Sequence, residues 1–368
     1  MRRMSTDSAL VAVRVEGSQY DVTIRPGLLN DVGPLLAGCC RTNRAGIVTD
    51  SQVGPHYAEI VAQSLRSAGI EPIIATLPSG ENHKTLADLA PVYDTLLSAR
   101  VERSTPILAL GGGVVGDMTG FVAATVLRGV PFVQIPTTLL AMVDASVGGK
   151  TGINHSVGKN LIGSFHQPIA VFIDPAALKT LPPRELRGGL AECIKHDIIR
   201  DAAGFDRIER DIGRALEVDL PYLTQLVAHN VAIKARVVEA DPFEKGERAH
   251  LNFGHTFGHA IETASRYEYS HGECVALGMV AAARLAADLG MLDEASRRRI
   301  VAVIEQAKLP VRGLELPTIQ IVDAMVFDKK VRGGKVRFVL PDRIGHVVIR
   351  DDVPAENVTR AVESLRGR

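Results

Sequence analysis

Cysteine is scarce in this chain of 368 residues. Its four cysteines, Cys39, Cys40, Cys193 and Cys274, form no C-x-x-C pair, and two are chain neighbours. That excludes a disulfide framework as the stabilising device and suits a reducing compartment. Neither sign of charge is in excess. With a formal net charge of zero, nothing points to a polyanion-binding surface over the whole molecule, and any phosphate must be met by local clusters of bases. No apolar run approaches the roughly 18 residues that span a bilayer. Met1-Arg2-Arg3-Met4 leads into Ser5-Thr6-Asp7-Ser8 rather than into the apolar stretch of a signal peptide. Repeats and low-complexity tracts are also lacking. These absences predict a soluble, cytoplasmic protein.

What is present is an ordinary globular balance, 46% apolar and 23% charged, in a chain longer than one compact core usually holds. Strand-like runs occur at Val11–Val15, Tyr20–Ile24, Gly46–Thr49, Pro72–Ala75, Pro106–Leu110, Pro131–Ile135 and Ala170–Ile173. Amphipathic stretches such as His56–Ala68 and Leu86–Ala99 lie between them, and this alternation predicts a largely parallel sheet covered by helices. After Pro182-Pro183 the period becomes helical, for example over Leu223–Glu239 and Ala249–Ser265, with two short strands near the end, Val336–Leu340 and His346–Ile349. The expected organisation is an α/β domain over 1–180 and a mostly α-helical domain over 181–368.

Leu108-Ala109-Leu110 runs into Gly111-Gly112-Gly113-Val114-Val115-Gly116-Asp117. Glycines 111, 113 and 116 match G-x-G-x-x-G between a strand and a helix, the setting in which backbone can approach a pyrophosphate at a helix N-terminus. A tight turn packing helix on strand would use the same glycines. The acid that should close the next strand is missing, since that strand ends in Ile135-Pro136-Thr137-Thr138. The nearest equivalent is Asp50, after Ile47-Val48-Thr49. The glycine loop therefore predicts a Rossmann-like dinucleotide domain with a rearranged sheet.

In His250–His259, Asn252, His255 and His259 recur at helical spacing, with Glu262 one turn on. His271 follows in Tyr269-Ser270-His271-Gly272-Glu273, and Glu192, Lys195 and His196 share another helical face. A catalytic zinc takes three protein ligands and keeps a position open. The candidates are Glu192, His196, His255, His259 and His271, and spacing does not choose among them. Basic residues gather near glycine-rich turns: Arg128, Lys150, Lys159, Lys195, Lys234 and Arg248. Solvated surface would account for any one of these. Lys150 and Lys159 stand out because their flanks read as glycine-rich loops, suited to a phosphate or carboxylate.

Taken together, Ser79–Lys84, Gly111–Asp117, Pro136–Leu140, Asp144–Gly152, Gly158–Asn160, Gly189–Glu192 and Leu251–His259 resemble the 3-dehydroquinate synthase family nearly end to end. The resemblance implies zinc or cobalt held by Glu192, His255 and His271, with His259 an acid–base residue; His196 is expected to be structural or to support the ligands. It implies NAD against Asp50, Ser79, Gly80, Glu81, Lys84, Gly113, Val114, Val115, Gly116, Asp117, Thr137, Thr138, Lys150, Lys159 and Thr180. Substrate would meet Asp144, Lys150, Asn160, Lys195, Lys234, Arg248, Asn252 and His259. Arg128 resembles an arginine that reaches the phosphate across a homodimer interface. Asp328-Lys329-Lys330 and Lys335–Phe338 resemble the family's basic C-terminal block, with Arg337 a candidate substrate contact.

The reaction so implied converts 3-deoxy-D-arabino-heptulosonate 7-phosphate into 3-dehydroquinate and phosphate. It proceeds by transient oxidation with NAD, β-elimination of phosphate, re-reduction, ring opening and aldol closure. Alternatives on the same plan are another sugar phosphate cyclase, a metal-dependent polyol dehydrogenase, or a protein that binds NAD without catalysis.

Overall fold

The computed structural model describes residues 8–244, 246–266, 268–327 and 336–367. The expected residues Asp328, Lys329, Lys330 and Lys335 lie outside these. Contacts divide the chain into two units, one of Met1–Leu181 with Leu220–Pro242, the other of Pro182–Asp219 with Phe243–Arg368.

The first unit opens with β1 (Ala9–Val15) and β2 (Ser18–Ile24), then α1 (Val32–Cys39), β3 (Arg44–Asp50), α2 (Gly54–Ser67), β4 (Glu71–Leu77), α3 (Leu86–Ser98), β5 (Ile107–Gly111), α4 (Gly113–Thr125) and β6 (Phe132–Pro136). Next come β7 (Lys150–His155), β8 (Gly158–Phe165) and β9 (Ala170–Ile173). Seven strands form one sheet in the order β1-β2-β9-β6-β5-β3-β4. All neighbours are parallel except β1 and β2. The residues of β5, β6 and β9 are all buried, as expected of parallel strands covered on both faces. Alternation along β5 divides the core: Ile107 and Ala109 face α3 and α4 through Leu89, Leu96, Met118 and Val122, while Leu108 and Leu110 join Leu36, Val61 and Leu65 from α1 and α2.

Two expectations change here. Lys150 and Lys159 themselves lie on the antiparallel pair β7–β8, with Lys150 opposite Phe165, and of their flanks Gly148-Gly149 and the Ser156-Val157 turn are loop. Alternation gave no signal because β8 is largely exposed and glycine-rich. Gly163 lies so close to β7 that a Cβ there would sit 2.1 Å from the Thr151 carbonyl oxygen. The second concerns the change to helical texture at 180.

After α5 (Pro183–Arg200) and α6 (Ala202–Leu216), α7 (Leu220–Ala240) packs on β1 and belongs to the first unit, not to the helical half.

The second unit continues with α8 (His255–Ala264), α9 (His271–Asp288), α10 (Glu294–Gln306), α11 (Thr318–Phe327), the hairpin β10 (Phe338–Arg343) and β11 (His346–Arg350), and α12 (Ala355–Glu363). The single helix expected over Ala249–Ser265 is interrupted. Glu247–Asn252 forms a 3₁₀ turn, and Gly254 at φ 77° starts α8 afresh. Asn252 therefore does not share a helical face with His255 and His259. No described helix is long and apolar enough to cross a membrane.

Packing around α9 depends on glycine. A Cβ on Gly278 would lie 1.9 Å from the Gly254 carbonyl oxygen, and one on Gly272 would lie 2.2 Å from Gly188 Cα. Gly278→Ala is expected to destabilise the chain by about 1–3 kcal/mol, the usual cost of overpacking, as a lower urea midpoint. Gly213→Ala, in α6 with nothing within 4 Å of the added carbon, should instead raise it slightly, by roughly 0.4–1 kcal/mol.

Candidate active site

In the first unit β5 ends at Gly111, Gly112 is extended, and α4 begins at Gly113 with no acid in its first turn. Gly111 and Gly116 are demanded by packing, since a Cβ would lie 2.6 Å from Val115 and 2.8 Å from Gln134 respectively. Gly113 is not, its nearest neighbour to an added carbon being Ala145 at 3.5 Å. Packing therefore explains two of the three glycines and leaves the helix N-terminus accessible to an anion. Beside it, the Thr137 amide donates to the Gly111 carbonyl at 2.9 Å, yet the buried Thr137 hydroxyl has no hydrogen-bond partner. A buried polar atom left so calls for a ligand or water to satisfy it. These features fit a bound dinucleotide. Asp50 closes β3, its Oδ1 accepting from the Gln52 and Val53 amides at 2.8 and 2.9 Å. Thr138 accepts from the Ala141 amide, and the Thr180 hydroxyl meets Tyr57.

The segment 79–84 is tied to the β7–β8 hairpin. Buried Lys84 donates to Asp117 Oδ2 at 2.6 Å and to Asn160 Oδ1. Asn154 donates to Glu81 at 2.8 Å and accepts from the Asn160 amide at 2.9 Å. Lys159 approaches Glu81 to 3.7 Å. Burial pushes the Asp117 carboxyl up, more than the Lys84 ammonium lowers it. Lys234 on α7 pairs with Asp144, donating also to its carbonyl at 2.6 Å. Asp144 sits in a single π-helical turn, Ala141–Ala145, an irregularity common at functional sites. Lys150 and Arg128 are exposed. Arg128 stands in the left-handed region at φ 67°, after Leu127 at φ 50°.

In the second unit three helices each contribute one group to a cluster. Glu192 on α5 is fully buried and ion-paired with buried Lys195. His255 is the first residue of α8. His271 opens α9 behind a capping box between Ser270 and Glu273, and Arg184 on α5 grips Glu273 with two nitrogens. Nε2 of His255 and Nε2 of His271 each lie 3.7 Å from Glu192 Oε1. One ligand atom from each of the three lies within 4.8 Å of the others. The His255 Nδ1 hydrogen is donated to the Phe253 carbonyl at 3.1 Å, which leaves Nε2 with its lone pair. Burial, with help from Lys195, holds this imidazole well below its ordinary pKa and so neutral. A buried carboxylate, a neutral imidazole with its free nitrogen inward and a second imidazole fit a divalent transition metal.

His259, on the same helix, has its ring 5.2 Å from that of His255. With Glu262 and His271 it makes a second group of potential ligands. His196 is fully buried on α5. Arg248 is buried, and Asn252 donates to Glu244 at 3.0 Å. Arg337 is exposed, and its carbonyl accepts from Thr256.

A family profile described as 3-dehydroquinate synthase N-terminal matches residues 74–188, and one described as 3-dehydroquinate synthase C-terminal matches residues 189–331. A 3-dehydroquinate synthase of Crocosphaera subtropica is 45% identical over 363 residues, 98% of this chain and 100% of the relative. The chain belongs to the 3-dehydroquinate synthase family. A second such enzyme, from Gloeobacter violaceus, is 48% identical across 97% of this chain and 99% of its own. Among solved structures, 2-epi-5-epi-valiolone synthase from Streptomyces hygroscopicus subsp. jinggangensis, with NAD+ and Zn2+ bound, superposes with a TM-score of 0.88 at 32% identity, covering 96% of this chain and 98% of that one.

Two acids beside expected site residues of this family member escaped the sequence reading of roles. Glu244 accepts from Asn252 at 3.0 Å, and no spacing marked it. Glu262 is buried beside His271, and its helical spacing from His255 was the available signal.

Burial opposes charge on His271, but the nearby carboxylates of Glu192 and Glu262 raise its pKa to about 9. A folded value above the unfolded one, about 6.5, contributes stability that is whole below pH 6.5 and lost as pH rises through 9. The urea midpoint of metal-free protein should therefore fall between pH 7 and pH 9.5. His271→Gln should flatten that slope.

Proposed function

We propose that this chain catalyses the 3-dehydroquinate synthase reaction, converting 3-deoxy-D-arabino-heptulosonate 7-phosphate into 3-dehydroquinate and inorganic phosphate, a carbon–oxygen lyase activity. The observation that carries the reading is the convergence of Glu192, His255 and His271 in a chain related end to end to such synthases. When bound, NAD supplies a reversible hydride acceptor, and zinc or cobalt supplies a Lewis acid that polarises a substrate oxygen.

Each residue then has a definite task. Asp50, the Gly113–Asp117 helix start, Thr137, Thr138 and Thr180 hold NAD, with Ser79–Lys84, Lys150 and Lys159 beside them. Glu192, His255 and His271 hold the metal. His259 takes and returns the proton of the C5 hydroxyl. Lys150, Lys195, Asn160 and Arg248 hold the carboxylate or phosphate and offset the charge that develops as phosphate leaves. Lys234 and Asp144 orient the substrate with Asn252, and Arg337 is a further contact. The exposed Arg128 serves the partner subunit of a homodimer. The free cysteines suit the cytoplasm.

Because NAD is regenerated in each turnover, phosphate release should far exceed the NAD supplied, with no absorbance from accumulating NADH. Steady NADH from simple polyols, without phosphate, would mean a polyol dehydrogenase. His259→Ala should lower turnover by about 10²–10⁴ with metal content unchanged; a loss under tenfold would remove its proton role. Metal analysis should show loss of the ion in Glu192→Gln, His255→Ala and His271→Ala, but retention in His196→Ala.

A further inference from the structure

One buried carboxylate of the second unit has no task among those above. Glu262 lies on α8, two turns beyond His255, and is only 7% exposed. Its Oε2 is 3.8 Å from Nδ1 of His271, while Nε2 of the same ring is 3.7 Å from Glu192 Oε1. A neutral imidazole offers a metal one nitrogen and keeps its hydrogen on the other. The acceptor of that hydrogen sets both tautomer and ring rotation. For His255 the acceptor is the Phe253 carbonyl at 3.1 Å. On the Nδ1 side of His271 the facing group is Glu262.

The backbone around His271 is set by the Ser270–Glu273 capping box and by Gly272 against Gly188. Neither feature sets the rotation of the ring, which turns about its own side-chain bonds. We infer that Glu262 is a positioning residue: its carboxylate accepts the Nδ1 hydrogen of His271 and so aims Nε2 at the cation position shared with Glu192 and His255. From 3.8 Å, hydrogen-bond length requires a closure of roughly 1 Å, small enough for side-chain torsions alone. A charged acceptor also strengthens the metal-facing nitrogen as a donor, which a backbone carbonyl does less. The inference rests on the metal reading of Glu192, His255 and His271. His259, Glu262 and His271 also form a potential ligand group, so the rival is that Glu262 binds a metal itself.

The test is titration of the metal-stripped full chain with Co2+ against a competing chelator, followed by visible absorption. Glu262→Gln should bind one Co2+ about 10–100-fold more weakly, with an altered visible band and an unchanged far-UV circular dichroism spectrum. Glu262→Asp, which keeps the charge, should recover part of the loss. Affinity within twofold of the unsubstituted chain would overturn the inference. So would loss of a second, weaker equivalent of Co2+ with the first intact, which would make Glu262 a ligand. Collapse of the helical signal in the metal-free Gln variant would make it structural and overturn the inference too. Failure of the unsubstituted chain to bind Co2+ would instead remove the metal reading beneath it.

Discussion

The second unit depends on backbone meeting backbone. Gly272 of α9 against Gly188 of α5, Gly278 of α9 against Gly254, and Gly258 of α8 against Cys274 leave no room for a methyl group on Gly272, Gly278 or Gly258. Helices that approach at glycines come nearer than side chains at their interface would permit, and close packing makes that spacing stiff. Glu192 stands one turn beyond Gly188, His271 is the neighbour of Gly272, and His255 follows Gly254. The contacts that lock the helices are thus adjacent in sequence to the groups that converge. A site assembled in this way is positioned by rigid elements rather than by loops.

Charge is managed by pairing inside each unit. The formal total is zero, but the more telling feature is where the charges sit. Lys195 against Glu192, Lys84 against Asp117, and Lys234 against Asp144 are all largely shielded from water. Taking such groups out of water is costly, and replacing them by apolar packing would often be no worse for stability. What such pairing does supply is geometry: each pair holds its cation in a fixed place. Perturbed titration follows the same placement, with His255 held neutral and His271 held charged although their rings are only 5.5 Å apart.

Much of the fold was legible from local pattern. The runs at Gly46–Thr49, Pro106–Leu110, Pro131–Ile135 and Ala170–Ile173 all lie in or overlap buried parallel strands, because strands covered on both faces must be apolar almost throughout. The glycine loop was legible because its steric demands are local. The β7–β8 pair was not: a strand exposed on most of its length carries no alternation, and its glycines imitate a loop. The break at Gly254 was hidden too, since helical spacing continues through the 3₁₀ turn, and the non-helical Phe253 and left-handed Gly254 that separate Asn252 from His255 leave that spacing unmarked. The place of α7 was equally invisible, because an amphipathic helix records that it has a buried face but not which surface covers it.

By itself, the sequence determined which chemical groups the chain owns and which short segments carry them: the strand–glycine–helix run ending at Asp117, the histidines at 255, 259 and 271, and the acid at 192. Those are properties of neighbours along the chain, fixed by spacing and local sterics. Only the tertiary structure brought Glu192, His255 and His271 within ligand distance of one another. Glu192, His255 and His271 come from three helices up to 79 positions apart, and their meeting depends on how closely those helices pack. That distance is set by contacts between glycines remote in sequence, which no local pattern records.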